Sequence, residues 1–462
     1  MALIIAGERS GVGKTTITLA LLSFLSCKGY KIQSFKVGPD YIDPMFHTKV
    51  TGRPCRNLDP ILTSETYVKS CFNRHSQNVD YALVEGVMGL FDGVPLSDSQ
   101  QLQKKENLEQ ESINDFASTA HIARLLKLPV LLVIDCRKLS GSVAAIAQGY
   151  SSFDPRVKIA GFILNRVGSD RHLQLLQNAL KPLHLPILGV LRRQDNISIP
   201  DRHLGLVPTA EINQLDALFD RLSHLAKNCF NWEQLLPLLK IKKTNSPYFM
   251  PKLTSTTLQR KKIAIARDRA FSFYYQDNLD ILEKLGAELI PWSPINDDNL
   301  PEEVQGLYFA GGFPEVFAQQ LSENKKAINS VKKAIDMEIP TYAECGGLMY
   351  LCEKLIDFEN KSWQMVGVLP TIAVMDKRLS LGYRQATTLE NSPCLKKEEV
   401  VWGHEFHHSH LTNNPRIPLF QTCDYNGKKR KEGWTMYQLH ASYIHLHWGD
   451  YPEIPARFLG VA

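Results

Sequence analysis

An apolar strand that runs straight into a glycine-rich loop leaves a chain few folds to choose from, and here that junction stands at the amino terminus. Leu3 to Ala6 is followed by Gly7-Glu8-Arg9-Ser10-Gly11-Val12-Gly13-Lys14-Thr15-Thr16 and then by a helical stretch, Ile17 to Ser26. Strand, loop and helix in that order are the setting of a phosphate-binding loop, in which successive backbone N–H groups and the helix N-terminus face anionic oxygens. Ser10, Gly11, Val12, Gly13, Lys14, Thr15 and Thr16 are therefore expected to bind ATP. Lys14 would neutralise the β- and γ-phosphate oxygens, and the Thr15 hydroxyl would help to hold Mg²⁺. The strict pattern asks for glycine six positions before the lysine, where this chain has Glu8, and Gly7 comes one residue early.

The same β/α grammar continues. Short β-branched runs at Lys31 to Lys36, Tyr81 to Val84, Val130 to Ile134, Ile159 to Leu164 and Ile187 to Val190 alternate with helical stretches, which predicts a parallel sheet covered on both faces. The pattern decays after a helix expected near Leu215 to Ala226, and residues 241–260 are polar with two prolines, Pro247 and Pro251, so a linker is expected there. A fresh alternation follows, with strands expected at Lys262 to Ala266, Glu288 to Pro291, Gly306 to Phe309, Pro340 to Tyr342 and Ser380 to Gly382. The fold class is α/β, with a P-loop domain over 1–240 and a second α/β domain over 261–462. With 462 residues and 44% hydrophobic content, both domains can bury a core.

Composition excludes several classes. The net charge of +5 is mild, and the short basic runs Arg260-Lys261-Lys262 and Lys428-Lys429-Arg430 read as solvated loops, so no nucleic-acid partner is expected. No apolar run is long enough to cross a bilayer, and no membrane partner is expected. The nine cysteines form no Cys-x-x-Cys pair and are odd in number, which fits a reducing, cytoplasmic location.

Mg²⁺ takes hard oxygen ligands, usually one or two carboxylates beside phosphates and water. Lys36-Val37-Gly38-Pro39-Asp40-Tyr41-Ile42-Asp43-Pro44 follows the second strand, and Val84-Glu85-Gly86-Val87-Met88-Gly89-Leu90-Phe91-Asp92-Gly93 follows the third. Both place acids at the carboxyl end of a parallel sheet, where ligands bind. Thr15, Asp40 and Glu85 are the metal candidates, and Asp43 and Asp92 the candidates for positioning substrate or phosphate.

The second piece of chemistry lies in Ile339 to Leu351, which reads as strand, sharp turn and helix around Ala343-Glu344-Cys345-Gly346-Gly347-Leu348. A cysteine on such an elbow is a nucleophile candidate, and the helix N-terminus is expected to lower its pKa. Cys352, seven residues on, reads as core on the apolar face of the same helix. A base is offered by His440, His445 or His447. The glycine turn Ala310-Gly311-Gly312-Phe313-Pro314-Glu315 would supply backbone N–H groups, Gly312 among them, that join the Gly346 N–H in an oxyanion hole. Gly403-His404-Glu405-Phe406-His407-His408-Ser409-His410 lacks the His-Glu-x-x-His spacing of a helical zinc site and reads as a polar strand lining a cleft.

With these segments assembled, and with Ala441-Ser442-Tyr443-Ile444-His445, the chain resembles over nearly its full length the cobyrinate a,c-diamide synthase family, glutamine-dependent enzymes of corrin biosynthesis. The resemblance implies a dethiobiotin-synthetase-like ATP domain joined to a class I glutamine amidotransferase domain. It implies that Cys345 attacks the glutamine amide and that His445 shuttles the proton. Ammonia would then amidate the c- and a-acetate carboxylates of cobyrinate after ATP has converted each to an acyl phosphate. ATP, L-glutamine and cobyrinate are the implied partners, with hydrogenobyrinate or nickel-sirohydrochlorin as alternative acceptors and a homodimer left open.

Two positions depart from the family pattern. Many class I amidotransferases carry His-x-Glu, whereas here the residue after Leu446 is His447; either another acid orients His445, or glutaminase activity stays low until the other substrate binds. Arg9 stands where a small residue is usual, and either contacts phosphate or faces solvent. A reading of another class is a partition-type ATPase, or a regulatory binding protein, with an inert amidotransferase-like domain.

Overall fold

A computed structural model describes residues 2–94, 114–193, 199–202, 205–212, 214–241 and 260–461. Two compact units comprise Met1–Pro60 with Ser64–Phe249, and Ile61–Thr63 with Met250–Ala462. Of the segment 241–260 expected as a linker, all but the two end residues lies outside the described residues.

The first unit is a seven-stranded sheet. Its strands are β1 (Leu3–Gly7), β2 (Ile32–Val37), β3 (Arg56–Leu58), β4 (Tyr81–Glu85), β5 (Val130–Asp135), β6 (Ile159–Val167) and β7 (Ile187–Arg192), in the order β3-β2-β4-β1-β5-β6-β7. Every pairing is parallel. Strands buried on both faces need continuous apolar runs, and Leu3 to Ala6 and Val130 to Ile134 are fully buried. Each such side chain contributes about 1.5–3 kcal/mol by leaving water. The three-residue strand β3 carries no period of its own, which is why the sequence does not announce it.

The second unit holds a six-stranded sheet in the order Ala287–Trp292, Lys261–Ala266, Gly306–Phe309, Thr341–Glu344, Leu439–Ser442 and Trp434–Met436. All neighbours are parallel except the last pair. Alternate residues feed two cores: Ala264, Leu307, Phe309 and Ala343 one, and Ile263, Ile265, Tyr308 and Tyr342 the other. The strand expected at Ser380 to Gly382 is instead part of a long strand, Leu369–Thr388, in a separate sheet, where it pairs antiparallel with Val400–Leu411. Exposed Leu379 and Leu381 mark it as a surface ribbon rather than a buried parallel strand. No helix among the described residues is long and apolar enough to cross a membrane.

Candidate active site

In the first unit the loop between β1 and α1 (Lys14–Cys27) takes positive φ at Gly11 (75°) and Gly13 (99°), a geometry that turns backbone N–H groups inward and favours glycine. Asn165, at the end of β6, braces the loop by donating to the Val12 carbonyl at 2.7 Å, and a Cβ at Gly13 would stand 2.5 Å from its Nδ2. Close approach falls on Gly7, where a Cβ would meet Val12 Cγ2 at 2.6 Å. Glu8 is drawn aside to accept from the Asp135 N–H at 3.3 Å. Arg9 pairs with Glu8 and donates to Asp135 at 3.1 Å while its side chain stays 53% exposed.

Lys14 bends back over this loop and donates to the Met88 carbonyl at 2.5 Å. Burial, and then the charge of Lys36, lower its pKa to about 8. The Thr15 hydroxyl faces two acids, Glu85 Oε1 at 2.7 Å and Asp43 Oδ2 at 3.3 Å. Between the same acids stands Lys36, whose Nζ is 2.5 Å from Asp43 Oδ2 and 2.9 Å from Glu85 Oε1. The other Glu85 oxygen is held at 2.8 Å by His47 Nε2, and His47 Nδ1 lies 3.4 Å from Cys55 Sγ. Burial alone would push Glu85 up, but Lys36 and His47 outweigh it and hold the carboxylate well below the usual range. Burial and Asp40 push Asp43 up despite Lys36.

The structure thus brings Asp43, rather than Asp40, onto Thr15. Asp40 accepts from the Ile42 N–H at 2.9 Å at the start of α2 (Ile42–Thr51) and lies 3.7 Å from Lys36 Nζ. Asp92 is exposed and accepts from the Gly89 N–H at 2.8 Å, shaping the turn. Three converging oxygens, two of them already sharing one ammonium, are the donor chemistry of a hard cation, so Thr15, Asp43 and Glu85 fit Mg²⁺. Sequence reasoning passed over Lys36 and His47. The available signal was a lysine inside β2, all of whose residues are buried, since a buried ammonium has to find carboxylates.

In the second unit the Thr341–Glu344 strand ends at Cys345, which takes φ 46° and ψ −101° before the helix Gly346–Leu351. That backbone is strained for a residue with a Cβ, as at other nucleophile elbows. The glycines after it permit close packing: a Cβ at Gly346 would stand 3.0 Å from the Gly312 nitrogen, and one at Gly347 would stand 2.5 Å from the Phe309 carbonyl oxygen. The expectation of a lowered thiol pKa is overturned. Cys345 is buried, and burial and then Glu315 push the thiol up, outweighing the Gly346 N–H. The thiol therefore needs a base.

The three candidate histidines separate. His440 is core: its Nδ1 is 3.0 Å from Ser392 Oγ, its ring stacks on Tyr342, and burial lowers its pKa to about 3. One strand ends at Ser442 and a second, short one takes His445–Leu446, so His445 lies in a strand and His447 beyond its end. His447 Nε2 lies 3.7 Å from Asp277 Oδ2. His445 lies against the glycine turn, where a Cβ at Gly311 would stand 2.5 Å from its Cε1, and its Nδ1 is 3.6 Å from Glu344 Oε2. His445, Gly311, Gly312 and Gly346 thus converge on the elbow.

The polar segment at Gly403 to His410 is a strand, within Val400–Leu411, and Glu405 in it is buried against Arg384 at 2.7 Å and against Arg430. Cys352 is buried but begins the strand Cys352–Ile356 instead of continuing the elbow helix.

Two family models match this sequence. Residues 3–207 match the CobQ/CobB/MinD/ParA nucleotide binding domain, and residues 262–452 the CobB/CobQ-like glutamine amidotransferase domain. Among curated relatives, a cobyrinate a,c-diamide synthase of Synechococcus is 57% identical over 99% of this chain and 98% of its own length. Those of Synechocystis and Gloeobacter violaceus are 51% and 45% identical, each over 99% of this chain and over 92% and 96% of their own.

Proposed function

Because the chain belongs to the cobyrinate a,c-diamide synthase family, an ATP-using, glutamine-hydrolysing group of amide-forming ligases, we propose that it converts the a- and c-acetate carboxylates of cobyrinate to amides through acyl phosphates. The observation that carries this reading is the strained Cys345 elbow packed on the Gly311-Gly312 turn against which His445 lies, in a chain that also holds the Thr15, Asp43 and Glu85 oxygens beside a phosphate loop.

At the elbow the Cys345 thiol gives its proton to His445 as sulfur attacks the amide carbon of glutamine. The oxyanion that forms is met by the N–H groups of Gly312 and Gly346. His445 returns the proton to the departing nitrogen, ammonia leaves, and water releases glutamate from the thioester. In the first unit a free carboxylate is a poor electrophile, because its leaving group would be oxide. Transfer of the γ-phosphoryl group from ATP releases ADP and provides phosphate as the leaving group, and attack by ammonia then yields amide and phosphate. Lys14 and the inward N–H groups of Gly11 to Lys14 hold the phosphates, and Lys36 offsets charge between them and the acceptor carboxylate. Mg²⁺, held by Thr15, Asp43 and Glu85, would supply Lewis-acid neutralisation of the phosphate oxygens. The partner molecules are ATP, L-glutamine and a tetrapyrrole carboxylic acid.

The test is incubation with ATP, Mg²⁺, glutamine and, separately, cobyrinate, hydrogenobyrinate or nickel-sirohydrochlorin, followed by mass analysis for two carboxyl-to-amide conversions. Cys345→Ser should abolish the glutamine-dependent reaction and leave the ammonia-dependent one. ATP turnover without any new C–N bond would sink the reading and favour a partition-type ATPase.

A further inference from the structure

We infer that Glu344 is the positioning residue that fixes His445 for glutamine hydrolysis, filling the role for which many class I amidotransferases use the acid of His-x-Glu. This rests on the reading that Cys345 and His445 carry that step. The position where the acid would stand holds His447, which turns toward Asp277, 3.7 Å away. Glu344 comes from a different direction, at the end of the strand that delivers the nucleophile. Its side chain is 1% exposed, and each oxygen has its own task. Oε1 accepts from the Tyr342 hydroxyl at 2.6 Å and from the Leu446 N–H at 2.9 Å. Oε2 faces His445 Nδ1 at 3.6 Å, a distance that shortens once the ring gains a positive charge.

Two consequences follow from this geometry. The bond to the Leu446 N–H anchors the main chain immediately after His445, and the bond from Tyr342 fixes the rotation of the carboxylate, so a fixed carboxylate stands beside the Nδ1 edge of a ring whose backbone is held. A proton on Nδ1 is then favoured, which leaves Nε2 as the acceptor; the Cε1–Nε2 edge of the ring lies toward Gly311, with Cε1 2.5 Å and Nε2 3.4 Å from where a Cβ there would stand. When His445 takes the thiol proton, the imidazolium forms beside a carboxylate that cannot move away.

The experiment compares Glu344→Gln, Glu344→Asp and Cys345→Ser in the full chain, with glutamine or ammonia as nitrogen donor. Glu344→Gln should lower the glutamine-dependent kcat about a hundredfold or more, leave the KM for glutamine within about threefold, and leave the ammonia-dependent rate unchanged. Glu344→Asp, which keeps the charge, should recover at least about tenfold of the loss. A glutamine-dependent kcat within about threefold of the parent, no recovery with Asp, or an equal fall in the ammonia-dependent rate would overturn the assignment. If Glu344→Gln does not fold, Tyr342→Phe decides: a glutamine-specific fall of severalfold supports it, and an unchanged kcat overturns it. Glutamine use surviving in Cys345→Ser would instead sink the underlying reading. Glutamine use lost in Cys345→Ser but kept in Glu344→Gln would remove Glu344 alone.

Discussion

Lys36 and Glu85 are register partners on the adjacent strands β2 and β4, and their side chains meet as a buried ion pair, with Nζ 2.9 Å from Oε1. The pair sits where the sheet's carboxyl edge meets the phosphate loop, so removing Lys36 leaves Asp43 without its ammonium and Glu85 with His47 alone. Lys36→Met would leave Glu85 and Asp43 without their shared cation, a loss on the order of 3–5 kcal/mol in folded stability. The amidation rate should fall at least about a hundredfold with either glutamine or ammonia. Thermal melts and the two-donor assay check both.

Nucleotide affinity should depend on pH through Lys14. Its pKa in the free protein is lowered to about 8, chiefly by burial, whereas bound phosphates favour its charged form. Below about pH 8 the cation is already present and the affinity is flat. Above it a proton must be taken up on binding, so the Kd for ATP should rise roughly tenfold per pH unit toward pH 10. Calorimetry in two buffers of different ionisation enthalpy measures that uptake, and Lys14→Met should bind weakly without the slope.

Glu432 offers a stability test away from the chemistry. Burial raises its pKa to about 7 although Ser442 Oγ donates to it at 2.6 Å. A carboxyl raised in the folded state binds its proton more tightly there than in the unfolded chain, so its effect favours folding at low pH and is lost as pH rises through about 7. Glu432→Gln, which mimics the protonated form, should raise the melting temperature by several degrees at pH 8 and leave it almost unchanged at pH 5.

Gly311→Ala would place a Cβ 2.5 Å from His445 Cε1. The ring has to move, and a base displaced by even about 1 Å loses on the order of a hundredfold in rate. The glutamine-dependent reaction should fall by that factor while the ammonia-dependent reaction persists. Parallel loss of both would show that the glycine serves the fold instead.

The main strands and the elbow were legible because each carries a local signal: continuous apolar runs in β1 and β5, and a cysteine before two glycines. What stayed hidden depends on register and on side-chain reach. Asp40 and Asp43 are equivalent in a string of letters, and only the first turn of α2 sends Asp43 to Thr15 while Asp40 caps the backbone. His445 and His447 are likewise two apart, but the short strand His445–Leu446 ends between them and they face different acids. Lys36 and Glu85 meet through parallel pairing of strands far apart in sequence. The thiol pKa went the other way because burial, invisible to a motif, outweighs the Gly346 N–H.

Cys345 occupies a backbone shape that glycine would adopt at ease. Exchanging it for glycine would relax about 1 kcal/mol or more of conformational tension. The same exchange would empty a buried place in the core and loosen the unfolded chain, so the tension at this position is carried for the sulfur's chemistry and not for resistance to heat.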